Sequence, residues 1–216
     1  TSGVSSILVE DTRLLLGTRL GVSSLDLINH NLTDFTPKSG GLINKAIRHT
    51  WDITPLEKNK YLVGTQHGVF YWDKVTGQQT LYHSDNLDNS RRVSNHTNRL
   101  HHYQSTVLVG TARGLGFVDF STHSLKPYLT KSSTNDLDTI SIYAIATDNL
   151  DNIWIGTSIG LFKAYQNHIT AHYSIHDFLP SNRVLHILID GSTLWAVTDK
   201  GLAAFRISQK TLHRLY

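Results

Sequence analysis

The sequence predicts an all-β fold, a β-propeller of five four-stranded antiparallel blades. Three observations predict it: one motif recurs five times, its copies are evenly spaced, and no stretch of a dozen residues carries a helical apolar stripe. The motif reads apolar-x-apolar-Gly-Thr-x-x-Gly-apolar and occupies 14–22, 62–69, 108–115, 154–161 and 195–202. Its threonines are Thr18, Thr65, Thr111, Thr157 and Thr198, so the units repeat at 47, 46, 46 and 41 residues and fill the 216-residue chain. A period of that size suits helical pairs or four-stranded blades. The density of β-branched and aromatic residues, broken every few positions by turn residues, selects blades.

Each unit supplies its strands in order. An apolar inner strand comes first, at 4–9, 47–53, 100–103, 142–146 and 184–189. The motif follows as two strands joined by a short hairpin, whose closing glycine (Gly21, Gly68, Gly114, Gly160, Gly201) is free to take positive φ. The other motif glycine is absent only from the fifth copy, where Val197 replaces it. An outer strand ends each unit, at 32–35, 80–82, 125–129, 169–173 and 211–216. Stacked radially, the middle strands bury both faces against neighbouring blades, which accounts for their near-continuous apolar runs. The whole chain reads as one domain or propeller segment, with blades at about 1–40, 41–85, 91–130, 136–175 and 181–216.

Composition narrows the function. Twenty Lys and Arg against 17 Asp and Glu leave a net charge of +3, too small an excess for a dedicated nucleic-acid surface. With no Cys, there is no disulfide, thiolate metal site or cysteine nucleophile. No apolar run approaches the roughly 18 residues of a membrane-spanning helix. Thr1 opens the chain without an initiator Met or a leader, which predicts a processed protein or a piece of a longer one.

Residues 142–162 carry the repeat in its fullest form: an apolar strand, a turn built on Asp148, Asp151 and Asn152, then Trp154-Ile155-Gly156-Thr157 and Gly160-Leu161. This resembles the two-component regulator propeller repeat, and the resemblance extends over essentially the whole chain. It implies the extracytoplasmic, periplasmic sensing part of a bacterial membrane-bound regulator, with a histidine-kinase or diguanylate-cyclase type output elsewhere in the parent. It also implies a small ligand, carbohydrate in some members, further blades in a ring of about seven, and room for a homodimer. This chain departs from that pattern in having five units. Its first unit begins with the inner strand and its last ends with the outer one, so no strand is shared between the termini. Five blades can close through side-chain packing alone, and the alternative, a piece of a larger ring, is the favoured expectation.

Chemistry-bearing patterns are weighed against plainer readings. Gly156-Thr157-Ser158-Ile159-Gly160 has the spacing of a hydrolase nucleophile elbow, but a strand follows where a helix is required. The loops 148–152 and 85–89 are oxygen-rich, yet neither reaches a twelfth-position Glu, so turn chemistry explains both. His96, His101 and His102, and His168, His172 and His176, form close groups in sequence that a strand does not align. Trp154 and Trp195 share one slot of the repeat and are expected in blade cores; Trp51 and Trp72 remain candidates for stacking on sugar. No cofactor, metal or catalytic residue is expected.

The five hairpin tips should emerge on one face, with the connections between blades, including Arg91, Arg92, Asn95 and residues 181–183. The candidate ligand-binding residues are accordingly Arg19, Gln66, His67, Arg92, Arg113, Ser158, Asp199 and Lys200. The expected function is non-catalytic ligand sensing. A protein-interaction scaffold and a carbohydrate-active propeller enzyme are the alternatives, the latter requiring two carboxylates about 5 to 9 Å apart.

Overall fold

The computed structural model describes residues 3–34, 49–84, 93–129, 137–207 and 212–214. They form five four-stranded antiparallel sheets arranged as a β-propeller. Blade 1 comprises β1 (Val4–Glu10), β2 (Arg13–Thr18), β3 (Gly21–Asp26) and β4 (Leu32–Asp34). Blade 2 comprises β5 (Thr50–Glu57), β6 (Lys60–Thr65), β7 (Gly68–Asp73) and β8 (Gln79–Tyr82). Blade 3 holds β9 (Thr97–Tyr103), β10 (Thr106–Thr111), β11 (Leu115–Asp119) and β12 (Ser124–Pro127). In blade 4 these are β13 (Ile142–Thr147), β14 (Ile153–Thr157), β15 (Leu161–Tyr165) and β16 (His168–Tyr173). Blade 5 has β17 (Val184–Asp190), β18 (Thr193–Thr198), β19 (Gly201–Ile207) and β20 (Leu212–Arg214). The only helical turns among the described residues are short 3-10 segments at Leu137–Thr139 and Ile175–Asp177.

The motif residues share one local chemistry. In every blade the threonine hydroxyl donates to the carbonyl of the glycine three residues on, at 2.8 to 3.0 Å, and accepts the N–H two residues on, at 3.1 to 3.2 Å. That glycine has φ between 88° and 147° in all five copies, a region L side chains rarely adopt. The threonine hydroxyl thus gives the turn N–H an acceptor and adds a bond to the glycine carbonyl, which in blades 3 and 4 also accepts the threonine N–H.

The first motif glycine acts between blades. A Cβ on Gly17 would stand 3.0 Å from Thr50 Cγ2, on Gly64 2.6 Å from Thr97 Cγ2, on Gly110 2.8 Å from Ile142 Cγ2, and on Gly156 2.9 Å from both Cγ1 and the carbonyl of Val184. Each glycine is a socket for the first residues of the next blade's inner strand. Between blades lie four cores: Leu15, Val22, Tyr61 and Phe70; Leu62, Val69, Val107 and Val109; Leu108, Ile142, Ile155 and Phe162; and Trp154, Leu194, Ala196 and Phe205.

Burial on both faces holds for blades 2 to 4 but not at the ends. Ile7 and Val9 of β1 are 60% and 71% exposed, and Leu188 of β17 is 62% exposed. Val197, in the socket position of blade 5, is exposed, and no blade is seated on it among the described residues. Trp195 corrects the sequence expectation. It is only half-buried, whereas Trp154 is fully buried, because that slot faces the following blade and among the described residues blade 5 has none there. Inner strands pack in the succession β1, β5, β9, β13, β17, and β17 makes no comparable packing with β1.

Candidate functional site: an axial funnel on the hairpin face

The site begins with a bulge that recurs in every inner strand. Pairing of the inner strand with its neighbour shifts between Val4 and Ser6, Thr50 and Asp52, Thr97 and Arg99, Ile142 and Ala144, and Val184 and His186. The residues left over are Ser5, Trp51, Asn98, Tyr143 and Leu185. A bulge re-aims the side chain it releases, and all five line one cavity of about 720 Å³ at the centre of the ring. Two of them also knit blades together: Ser5 Oγ donates to the Thr50 carbonyl, and Asn98 Nδ2 donates to the Ile142 carbonyl at 3.0 Å.

Hairpins and connections form the mouth. The His49 N–H donates to the Arg19 carbonyl (3.0 Å), the Ser94 N–H to Arg113 (3.1 Å), the Gly114 N–H to Ile140 (3.0 Å) and the Ser158 N–H to Ser141 (3.2 Å). The tips and connections therefore share one face, as expected. Of the tip residues named from the sequence, Arg19 lines the cavity; Gln66, His67, Arg113, Ser158, Asp199 and Lys200 do not. Arg92 lies outside the described residues, as do Arg91 and the loop 85–89.

The lining is basic and aromatic. It contains Arg19, Arg99, Arg183, His49, His96 and His186, with Trp51 and Tyr143, and among the described residues no carboxylate. Trp51 stacks on His96 with centroids 5.5 Å apart and stays 36% exposed. The Arg183 guanidinium stands 5.5 Å from the Tyr143 ring centroid. A second cavity of about 470 Å³ shares Val4, Ser5 and Arg99 with the first and adds Asp52 and His101. There the Asp52 carboxylate accepts the N–H groups of Leu100 (2.8 Å) and Ile53 (3.0 Å), and pairs with Arg99 Nε at 3.7 Å. Burial pushes the Asp52 carboxyl up, against the pull of Arg99. Burial also pushes His96 down, helped by His49 and His67, and His186 down, helped by Arg99.

Other candidates resolve into structure. Ser158 sits on a strand-to-strand hairpin, not a strand-to-helix turn. The Asp148 carboxylate accepts the Leu150 and Asn152 N–H groups, the Asn152 amide and Trp154 Nε1 (2.8 Å), so the 148–152 loop is a self-satisfied turn. His101 meets Thr147 Oγ1 of blade 4 at 3.1 Å while His102 meets the Pro55 carbonyl of blade 2 at 2.6 Å, and His172 stacks on Phe162 at 4.0 Å. No group of three metal-ligating residues occurs among the described residues. Trp72, a stacking candidate from sequence, is buried against Tyr61 and is core. Trp51 keeps an open ring face. The bulge residues were missed as a set because they vary in type and no glycine or proline marks the bulge.

Solved structures share the fold. The extracellular domain of the hybrid two-component system BT4673 of B. thetaiotaomicron is 22% identical with a TM-score of 0.75 over 93% of this chain and 27% of that one. That of BT3049 from the same organism is 19% identical with a TM-score of 0.71, over 98% and 28%. An ancestral GH74 enzyme is 14% identical with a TM-score of 0.66, over 98% and 31%. The chain thus spans about a quarter to a third of the length of these structures. No family model matches the sequence, and no curated protein matches it. Among the described residues no helix is long and apolar enough to cross a membrane.

Proposed function

We propose that the chain is a non-catalytic ligand-sensing propeller segment, the periplasmic part of a bacterial membrane-bound signalling regulator whose histidine-kinase or diguanylate-cyclase type output lies elsewhere in the parent. The carrying observation is the axial funnel. All five blades deliver a bulge side chain to it, it has the volume of a small-molecule site, and among the described residues it brings no pair of carboxylates to its wall for glycoside hydrolysis. The likeness to extracellular domains of two-component proteins supports the same reading. The ligand, a carbohydrate fragment or another small polar molecule, enters past a rim formed by Arg19, Gln66, His67, Arg113, Ser158, Asp199 and Lys200. Thermal melting of the chain against oligosaccharides, nucleotides and peptides tests this, since a ligand of the native state alone must raise the midpoint. A flat response across the panel, in this chain and in the longer parent, would discredit sensing.

The exposed apolar faces of blades 1 and 5 favour a second element of the proposal, that further blades or domains of the parent cover them. Val4 pairs with Thr18 as Thr50, Thr97, Ile142 and Val184 pair with their own motif threonines, yet it has no glycine socket to enter among the described residues. Hydrogen exchange on the parent should show β1 better protected than in the isolated chain; equal protection counts against added blades.

A further inference from the structure

The funnel's charge is out of proportion to that of the chain. Over the whole sequence cations exceed anions by only 3 with histidine counted as neutral, whereas the funnel wall alone gathers three arginines and, among the described residues, no acid, with three histidines beside them. Asp52 offsets Arg99 at 3.7 Å from the adjoining cavity. Arg19 and Arg183 are exposed at the mouth and have no carboxylate partner among the described residues. Arginines converging on a concave wall from different blades repel one another, so the empty funnel carries an unfavourable positive potential that an anion relieves. A guanidinium presents a planar donor fork matched to carboxylate, sulfate or phosphate. Between the arginines lie two aromatic surfaces, Trp51 backed by His96 and Tyr143 facing Arg183.

We propose that the axial funnel binds a small ligand bearing two or more negative oxyanion charges on a ring, with the anionic groups on Arg19, Arg99 and Arg183 and the ring on Trp51. This rests on the ligand-sensing reading above and names its ligand class. Acidic sugars and sugar phosphates share the required chemistry. Binding should weaken steeply with added salt, because fixed charges supply the attraction.

Isothermal titration of the 216-residue chain with glucose 1,6-bisphosphate, galacturonic acid dimer, citrate and cellobiose tests the class. Binding is expected for the two ring anions, more weakly for citrate, which has charge but no ring, and at least about tenfold more weakly for the neutral cellobiose. The double variant Arg19→Gln with Arg183→Gln should lose about tenfold for the ring anions, and its exposed positions leave the fold intact, as circular dichroism will verify. Trp51→Ala should weaken the ring anions and leave citrate unchanged. Quenching of Trp51 fluorescence by the phosphate sugar but not by citrate distinguishes ring stacking from charge alone. Cellobiose bound as tightly as the ring anions, or ring anions indifferent to the double substitution, would overturn the anionic class while leaving ligand sensing in place. Absence of binding by all three anions would overturn the proposal, and a neutral oligosaccharide that raises the melting midpoint would then still support sensing.

Discussion

At Thr65 a single hydroxyl makes two hydrogen bonds, donating to the Gly68 carbonyl and accepting from the His67 N–H, and the residue is fully buried. Thr65→Val keeps the shape, removes both bonds and takes away the acceptor of the His67 N–H, so it should cost about 1–2 kcal/mol in urea unfolding, while Thr65→Ser should retain most of the stability. His101 carries a second residue-scale prediction. Burial, with help from His102 and Arg99, pushes its imidazole down to about 4 from the ordinary 6.5. Both folded and unfolded forms are neutral at pH 7. Below about 6.5 the unfolded chain takes up the proton first, so stability should fall between pH 6.5 and 4, by at most about 3 kcal/mol from this residue. His101→Gln should flatten that part of the stability profile. Ligand binding should follow the opposite sign: an oxyanion favours protonated His96 and His186, so affinity for the galacturonic acid dimer, whose carboxylates stay ionised, should rise as pH drops below about 6.5.

Inner strands and hairpins differ in how openly they announce themselves. The hairpins were legible because Thr and Gly at fixed offsets are demanded by the turn itself, through the hydroxyl's two bonds and the positive φ of Gly21, Gly68, Gly114, Gly160 and Gly201. The inner-strand bulges were not legible, because Ser5, Trp51, Asn98, Tyr143 and Leu185 share a place and no chemistry. For the same reason the funnel had to be seen in space, and sequence reasoning pointed to the tips instead; of the candidates named there, Arg19 alone among the described residues reaches the cavity wall. The socket glycines fall between these cases: their recurrence was visible, but their cause lies in the next blade. At Gly156 a Cβ would meet the Val184 carbonyl, which is backbone and cannot swing aside, so Gly156→Ala should destabilise by about 2–3 kcal/mol. Val197→Ala, at the equivalent place in blade 5, trims an exposed side chain and should change stability by less than about 1 kcal/mol. Equal costs at the two positions would mean that Val197 is also enclosed.

At the scale of the molecule, the same socket decides how the wheel can close. Regular closure would set the start of β1 against the second strand of blade 5, where every other blade offers glycine and blade 5 offers Val197. Val4 would meet a branched side chain, and β17 makes no packing with β1 like that between the other inner strands. Two apolar faces are left facing outward: Ile7 and Val9 with Leu14, Leu16 and Leu25 on blade 1, and Leu188, Val197 and Leu202 with half-buried Trp195 on blade 5. Contiguous aliphatic surface of this kind drives association in water. The isolated chain should therefore show concentration-dependent oligomers by light scattering over roughly 5 to 200 µM, a range that spans the affinities of modest apolar interfaces. Ile7→Lys and Leu188→Lys should each lower the average mass, because either charge must be buried for its face to be covered. If both faces lie open, the two substitutions should leave the far-ultraviolet dichroism unchanged. A strictly monomeric chain at the highest concentration, together with marked destabilisation by either lysine, would instead mean that the two end faces cover one another and that five blades close despite Val197.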